Sequence, residues 1–224
     1  MLDFYIPIVA ILAFDGMLLF GLAWAYHSPR FAAHRISMMD SMKMPRAERL
    51  RNIALSSVLS LIVVFGLTYL MYPYTFHTNP TPVWRVLLEI LGILLVYDFA
   101  YYWLHRLMHH KKLMRFVHAV HHRVRNPTAM ESFYLHPLEL ISGLALLMAC
   151  TWVVGPVHGY AFAAVFLVHS SLNIIVHSGM ISGNKLLAPL DHLTRKHHVH
   201  HMDDFAKNYA SLTPWPDMLF GTYG

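Results

Sequence analysis

The chain has almost no cysteine and little charge. Cys150, in an apolar run, is the single cysteine among 224 residues. It forms no internal disulfide and gives no clue to redox compartment. Its isolation excludes cysteine-held zinc and iron–sulfur clusters, so any bound metal must rely on nitrogen and oxygen ligands. Charged residues make up 13%, against roughly a quarter in a soluble domain. The net charge of +5 reads as basic loops beside a bilayer rather than as a nucleic-acid surface. The N-terminus lacks the basic start of a signal peptide and carries Asp3 instead. The first apolar run is therefore expected to stay as a membrane helix. The end, Phe220-Gly-Thr-Tyr-Gly224, has no retention or lipidation signal. No internal repeat or low-complexity stretch is present.

What is there is apolar surface and histidine. Hydrophobic residues reach 56% and mean hydropathy is +0.43. Five apolar segments stand out, near residues 4–26, 53–72, 86–103, 138–157 and 160–176. A crossing helix needs about 20 apolar residues. The expected fold is an all-α integral membrane protein with about four to five membrane helices and a cytoplasmic helical cap. The third segment carries Glu89 and Asp98, and the last two are joined only by Gly155-Pro-Val-His-Gly159, which reads as a tight hairpin. Basic loops alternate with non-basic ones. Residues 27–52 hold Arg30, Arg35, Lys43, Arg46, Arg49 and Arg51, whereas residues 73–85 hold only Arg85. Segments 105–137 and 178–224 are basic again. The positive-inside rule puts these three basic segments on the cytoplasmic side, in a bacterial inner membrane or the endoplasmic reticulum. Residues 1–94 read as N-terminal membrane helices with a basic loop, and residues 95–224 as the histidine-bearing domain.

Eighteen histidines are present, and three clusters follow one plan: His105-Arg-Leu-Met-His109-His110, His118-Ala-Val-His121-His122, and His197-His198-Val-His200-His201. Positions i, i+3 and i+4 share a helix face. That picks His105 and His109, then His118, His121 and His122, then His197, His200 and His201. Eight imidazoles exceed the four to six ligands of one ion, so two metals are expected. His110 and His198 fall off the face and read as outer or solvent-facing residues. His177, at the end of the fifth segment, can hang into the same site. Asn173, one turn earlier, offers an amide oxygen, and His169 lies two turns before His177 as a buried polar group or a ligand. A charge inside an apolar helix needs a partner, and metal-bound histidines commonly donate their second N–H to a carboxylate. Asp98 and Glu139 are the expected carboxylates, with an ion pair to Arg106 the alternative for Asp98. Lone histidines His27, His34, His77, His158 and His192 read as ordinary surface or hydrogen-bonded residues.

These residues resemble the membrane fatty acid hydroxylase superfamily, also called the sterol desaturase family. Its pattern is H-x3-H, H-x2-H-H and a final H-x2-H-H, matched by His105/His109, His118/His121/His122 and His197/His200/His201, with His177 between. The flanks agree too: Asp98-Phe-Ala-Tyr-Tyr-Trp-Leu-His105-Arg, then Asn126-Pro-Thr and His136-Pro-Leu-Glu139, then the stretch from Asn208-Tyr-Ala to Phe220-Gly-Thr-Tyr. The resemblance covers about residues 95–223; the first 90 match only in being hydrophobic. Two positions depart from the pattern. Asn173 stands where relatives with the largest ligand set have histidine, and Ala210 stands in the usual Asn-Tyr-Gly.

The resemblance implies a histidine-bound di-iron centre (two iron ions), O2 as co-substrate and a separate electron donor such as cytochrome b5, ferredoxin or a reductase. The implied reaction is hydroxylation or desaturation of a lipid, sterol or other hydrophobic substrate. Two other functions are open to the residues themselves. A histidine-rich metal transporter needs ligands along the spans. A zinc-dependent membrane hydrolase needs a motif such as His-Glu-x-x-His, which is absent.

Overall fold

The computed structural model describes residues 1–37, 45–202 and 205–224; Lys43 of the first basic loop lies outside them. All five apolar segments form helices. They are α1 (Leu2–His27), α2 (Arg46–Thr75), α3 (Val83–Met108), α5 (Pro137–Val154) and α6 (Gly159–Val176). Shorter helices α4 (Lys111–Leu113), α7 (Ala188–Met202) and α8 (Trp215–Leu219) belong to the polar end. Of the long helices, α1, α2, α5 and α6 are long and apolar enough to cross a membrane. The all-α membrane architecture expected from the hydropathy is therefore present.

Helix α1 packs on α6, α2 on α5, and α3 against both α5 and α6. The core is aromatic and aliphatic: Phe4, Phe76 and Phe162 cluster with Ile8, Ile93 and Leu147. The outward faces stay apolar. Ile6, Phe20 and Trp24 on α1, and Leu55, Ile62 and Leu70 on α2, are exposed, as expected where lipid replaces water.

The two ends of the bundle differ. At one end, strands β1 (Phe76–His77) and β2 (Val157–His158) pair in parallel. The α5–α6 hairpin turns there on Gly155, whose φ of 111° favours glycine. Glu89 is satisfied at this end, accepting from the His158 amide at 2.8 Å and from Arg85 at 3.3 Å. At the other end the finishes of α1, α3 and α6 meet the starts of α2 and α5. Arg49 bonds Glu131 at 3.0 Å, and Asn52 donates to the Leu135 carbonyl. Pro137 opens α5, with the His136 ring capping the Leu138 amide at 3.1 Å. The histidine motifs all lie at this second end.

Candidate metal centre

His105 and His109 sit one turn apart at the end of α3, and His197, His200 and His201 lie on α7. The middle motif is not the regular helix its spacing suggests. Helix α4 runs into a π-helical turn at Met114–His118, and a 3-10 turn follows at His121–Arg123. The nine histidines expected as ligands gather into two groups. One is His105, His109, His118, His122 and His200; the other is His121, His177, His197 and His201. Within each group the ligating nitrogens all lie within 4.8 Å of one another. In both His-x2-His-His motifs the outer i, i+4 pair stays together and the i+3 histidine crosses to the other group.

The hydrogen bonds fix which nitrogen faces inward. Nδ1 of His105 donates to the Tyr209 carbonyl at 2.8 Å, that of His177 to Asn173 at 2.6 Å, and that of His200 to Lys207 at 2.6 Å. His201 and His121 donate to the Val124 and Tyr134 carbonyls at 3.2 and 3.4 Å. His118 donates to Glu139 Oε1 at 2.8 Å. A carbonyl only accepts, and a neutral imidazole has one N–H. The Nε2 atoms of these six therefore carry lone pairs, and they converge with the Nε2 atoms of the other ligand histidines. The separations are 3.1 Å for His105–His118, 3.0 Å for His118–His122, 3.1 Å for His121–His177 and 2.8 Å for His177–His197. With both Nδ1 protons committed, the His105–His118 and His121–His177 pairs face each other lone pair to lone pair. A shared cation relieves that arrangement.

Protonation is not the relief. Burial pushes His118 down to about 3 and His177 to about 4. His121 is also held at about 3, by burial first, with the opposing pull of Glu139 too weak to restore it. Burial, then the neighbouring imidazoles, holds His197 and His201 well below the ordinary histidine value. Neutral imidazoles aimed at two common points are a donor set suited to zinc, iron, copper or nickel.

Two sequence expectations change. Asp98 accepts neither from a histidine nor from Arg106. Its carboxylate takes the Leu212 and Thr213 amides at 2.9 and 3.3 Å and the Thr213 hydroxyl. It serves as an anchor that folds the C-terminal segment over the site. The middle motif, as described, is not a single α-helical face. Glu139 does meet a histidine, His118. Asn173 reaches the site through its carbonyl, and its side chain lines the neighbouring cavity. His198 is half-buried and His110 exposed, and neither belongs to the two groups. His27 and His192 are exposed, and His158 caps α6. Spacing gave no hint of the carbonyls of Tyr209 and Lys207 or of Asp217. Asp217 is fully buried, pairs with Lys196 at 2.5 Å and takes the Tyr209 and Ala210 amides. Asn208, at φ 61°, makes the turn that presents both carbonyls, a conformation asparagine tolerates.

Beneath the histidines lies a cavity of about 300 Å³, reached by His105, His121, His177 and His197 and walled by all five long helices. Its lining is mainly apolar, with Leu61, Val64, Leu140 and Phe166 among the walls. Of the aromatics around the motifs, Tyr101 and Phe133 face it. Tyr102 instead stacks on Phe220 at 4.9 Å, and Trp103 is exposed.

Fold and site together define a helical membrane protein whose one end is built to bind metal through histidine. Residues 90–222 match the model of the fatty acid hydroxylase family, and the chain belongs to that family. It is 37% identical over 161 residues to methylsterol monooxygenase 1 of Gallus gallus, covering 69% of this chain and 52% of the relative. Against a very-long-chain aldehyde decarbonylase of Oryza sativa subsp. indica it is 33% identical over 153 residues, covering 64% of this chain and 55% of that one. The chain spans about half the length of the curated relatives it matches. No solved structure shows a significant match.

Proposed function

We propose that this chain is a membrane-bound di-iron oxygenase that hydroxylates or desaturates a lipid, sterol or other hydrophobic substrate. O2 is the co-substrate, and electrons come from a separate donor such as cytochrome b5, ferredoxin or a reductase. The observation that carries this reading is the convergence of nine imidazoles in two groups, six of whose Nδ1 protons are spent on carbonyls and on Glu139. One iron would be held by His105, His109, His118, His122 and His200, the other by His121, His177, His197 and His201. The family match and the printed activities of its relatives, a monooxygenase and a decarbonylase, favour iron over the other metals that imidazole accepts.

When bound, iron supplies the activation of dioxygen needed to attack an unreactive C–H bond. The protein supplies orientation and dryness. Glu139 fixes the ring of His118, and five carbonyls fix His105, His121, His177, His200 and His201, so six of the nine ligands need little rearrangement on loading. The apolar walls hold an acyl or polycyclic skeleton against the histidine end and keep water out. The basic loops at that end support a multi-pass topology with the site on the cytoplasmic face. Residues 95–224 then form the catalytic part, and residues 1–94 complete the cavity walls. A transporter is disfavoured because eight of the nine clustered histidines lie beyond the four candidate crossing helices and His177 caps the end of one, so among the described residues no file of clustered ligands runs through the bilayer.

The test is expression in a lipid-rich host followed by mass spectrometry of extracted lipids. A lipid that gains one oxygen, or loses two hydrogens, with the wild-type chain and not with His200→Ala is the expected result. Lipid profiles that are the same for both would overturn the reading.

A further inference from the structure

The histidine end explains only part of the cavity. Three polar atoms with no hydrogen-bond partner are buried on residues that line it away from that end: Asp15 Oδ2, the Tyr97 hydroxyl and His169 Nδ1. They come from three helices, α1, α3 and α6. Asp15 is 6% exposed, and its other oxygen accepts from Ser171 at 2.7 Å. Tyr97 is fully buried, with the His169 ring edge-on to it at 5.1 Å. Leucine at these positions would serve packing better, because an unpartnered polar group in a bilayer interior is costly.

Two helices measure how deep these groups lie. On α6 a single stripe faces the cavity, running from His169 through Ser170, Asn173 and Ile174 to His177. On α3 the stripe runs from Tyr97 through Tyr101 to His105. Both intervals are eight residues, or about 12 Å at 1.5 Å per residue. Tyr97 and His169 therefore sit at one level, about 12 Å from the histidine groups.

We infer that this deep end is a binding site for a hydroxyl group of the substrate, held by Asp15, Tyr97 and His169. A hydroxyl both donates and accepts, so it matches both an acceptor such as Asp15 Oδ2 and a donor such as the Tyr97 O–H. A carboxylate brings acceptors only, and a plain hydrocarbon leaves all three groups unpaired. The substrate class is thus an amphiphile whose hydroxyl lies roughly 12 Å from the carbon presented to the histidines. That last assignment rests on the oxygenase reading; the hydroxyl site itself does not.

Equilibrium binding of radiolabelled 1-hexadecanol and hexadecane to the full chain in nanodiscs, corrected with empty discs, tests it without turnover. The wild type is expected to favour the alcohol about tenfold, the worth of one or two buried hydrogen bonds. Tyr97→Phe, which removes one oxygen and little else, and Asp15→Ala should each erase most of that preference. His201→Ala should keep it. Equal binding of alcohol and alkane by the wild type, or full preference retained in Tyr97→Phe and Asp15→Ala alike, would overturn the site. Metal analysis of the same samples separates the two ideas. A metal-free chain that still prefers the alcohol sinks the oxygenase alone, and a metal-loaded chain without preference sinks the hydroxyl site alone.

Discussion

His200 and His201 are neighbours in sequence, yet their rings serve different groups. His200 Nε2 lies 3.2 Å from His109, and His201 Nε2 lies 3.1 Å from His197. Their Nδ1 protons go to different segments, Lys207 and Val124. Single substitutions are therefore expected to divide the metal content. His200→Ala and His201→Ala should each keep about one ion of two, whereas His198→Ala, outside both groups, should keep both. Elemental analysis of the purified variants checks this. A loss in His198→Ala as large as in His200→Ala would contradict the division. Spacing alone reveals which histidines converge, because i, i+3 and i+4 share a face. It does not reveal that the i+3 member crosses over. That depends on the π and 3-10 turns around His118 and His121 and on acceptors far along the chain.

At the level of elements, long apolar runs make the five large helices readable, since a bilayer imposes helix on any such run. The turns that aim the site are not readable in this way. Asp98 was legible as a buried charge needing a partner. Its partners, Leu212 and Thr213, are more than a hundred residues away, and nothing local points to them. Gly179, just after His177, illustrates such a turn. Its φ is 66°, and a Cβ there would lie 2.8 Å from the Pro127 carbonyl. Gly179→Ala is expected to cost roughly 1–3 kcal/mol and to displace His177. Thermal melting should show the loss, with reduced metal in the group containing His121 and His197. An unchanged melting temperature and metal content would show that the turn is free to relax.

Over the whole molecule, the two ends of one helical bundle have separate tasks. The β1–β2 end closes the hairpin and neutralises Glu89. The opposite end draws residues 105 to 201 into two imidazole groups over an apolar cavity, held down by Asp98 and by the buried Lys196–Asp217 pair. Loop charges anticipate this division, because all three histidine clusters lie in basic segments. Of the cavity's polar depth only His169 was legible as a buried polar group; that Asp15 and Tyr97 line the same cavity depends on how α1, α3 and α6 pack. The central claim is that the nine imidazoles bind two metal ions. The most direct measurement is the iron content of the gently purified full chain, by mass spectrometry of the metal. Close to two irons per chain is the expected value, and a chain free of bound transition metal would contradict the claim.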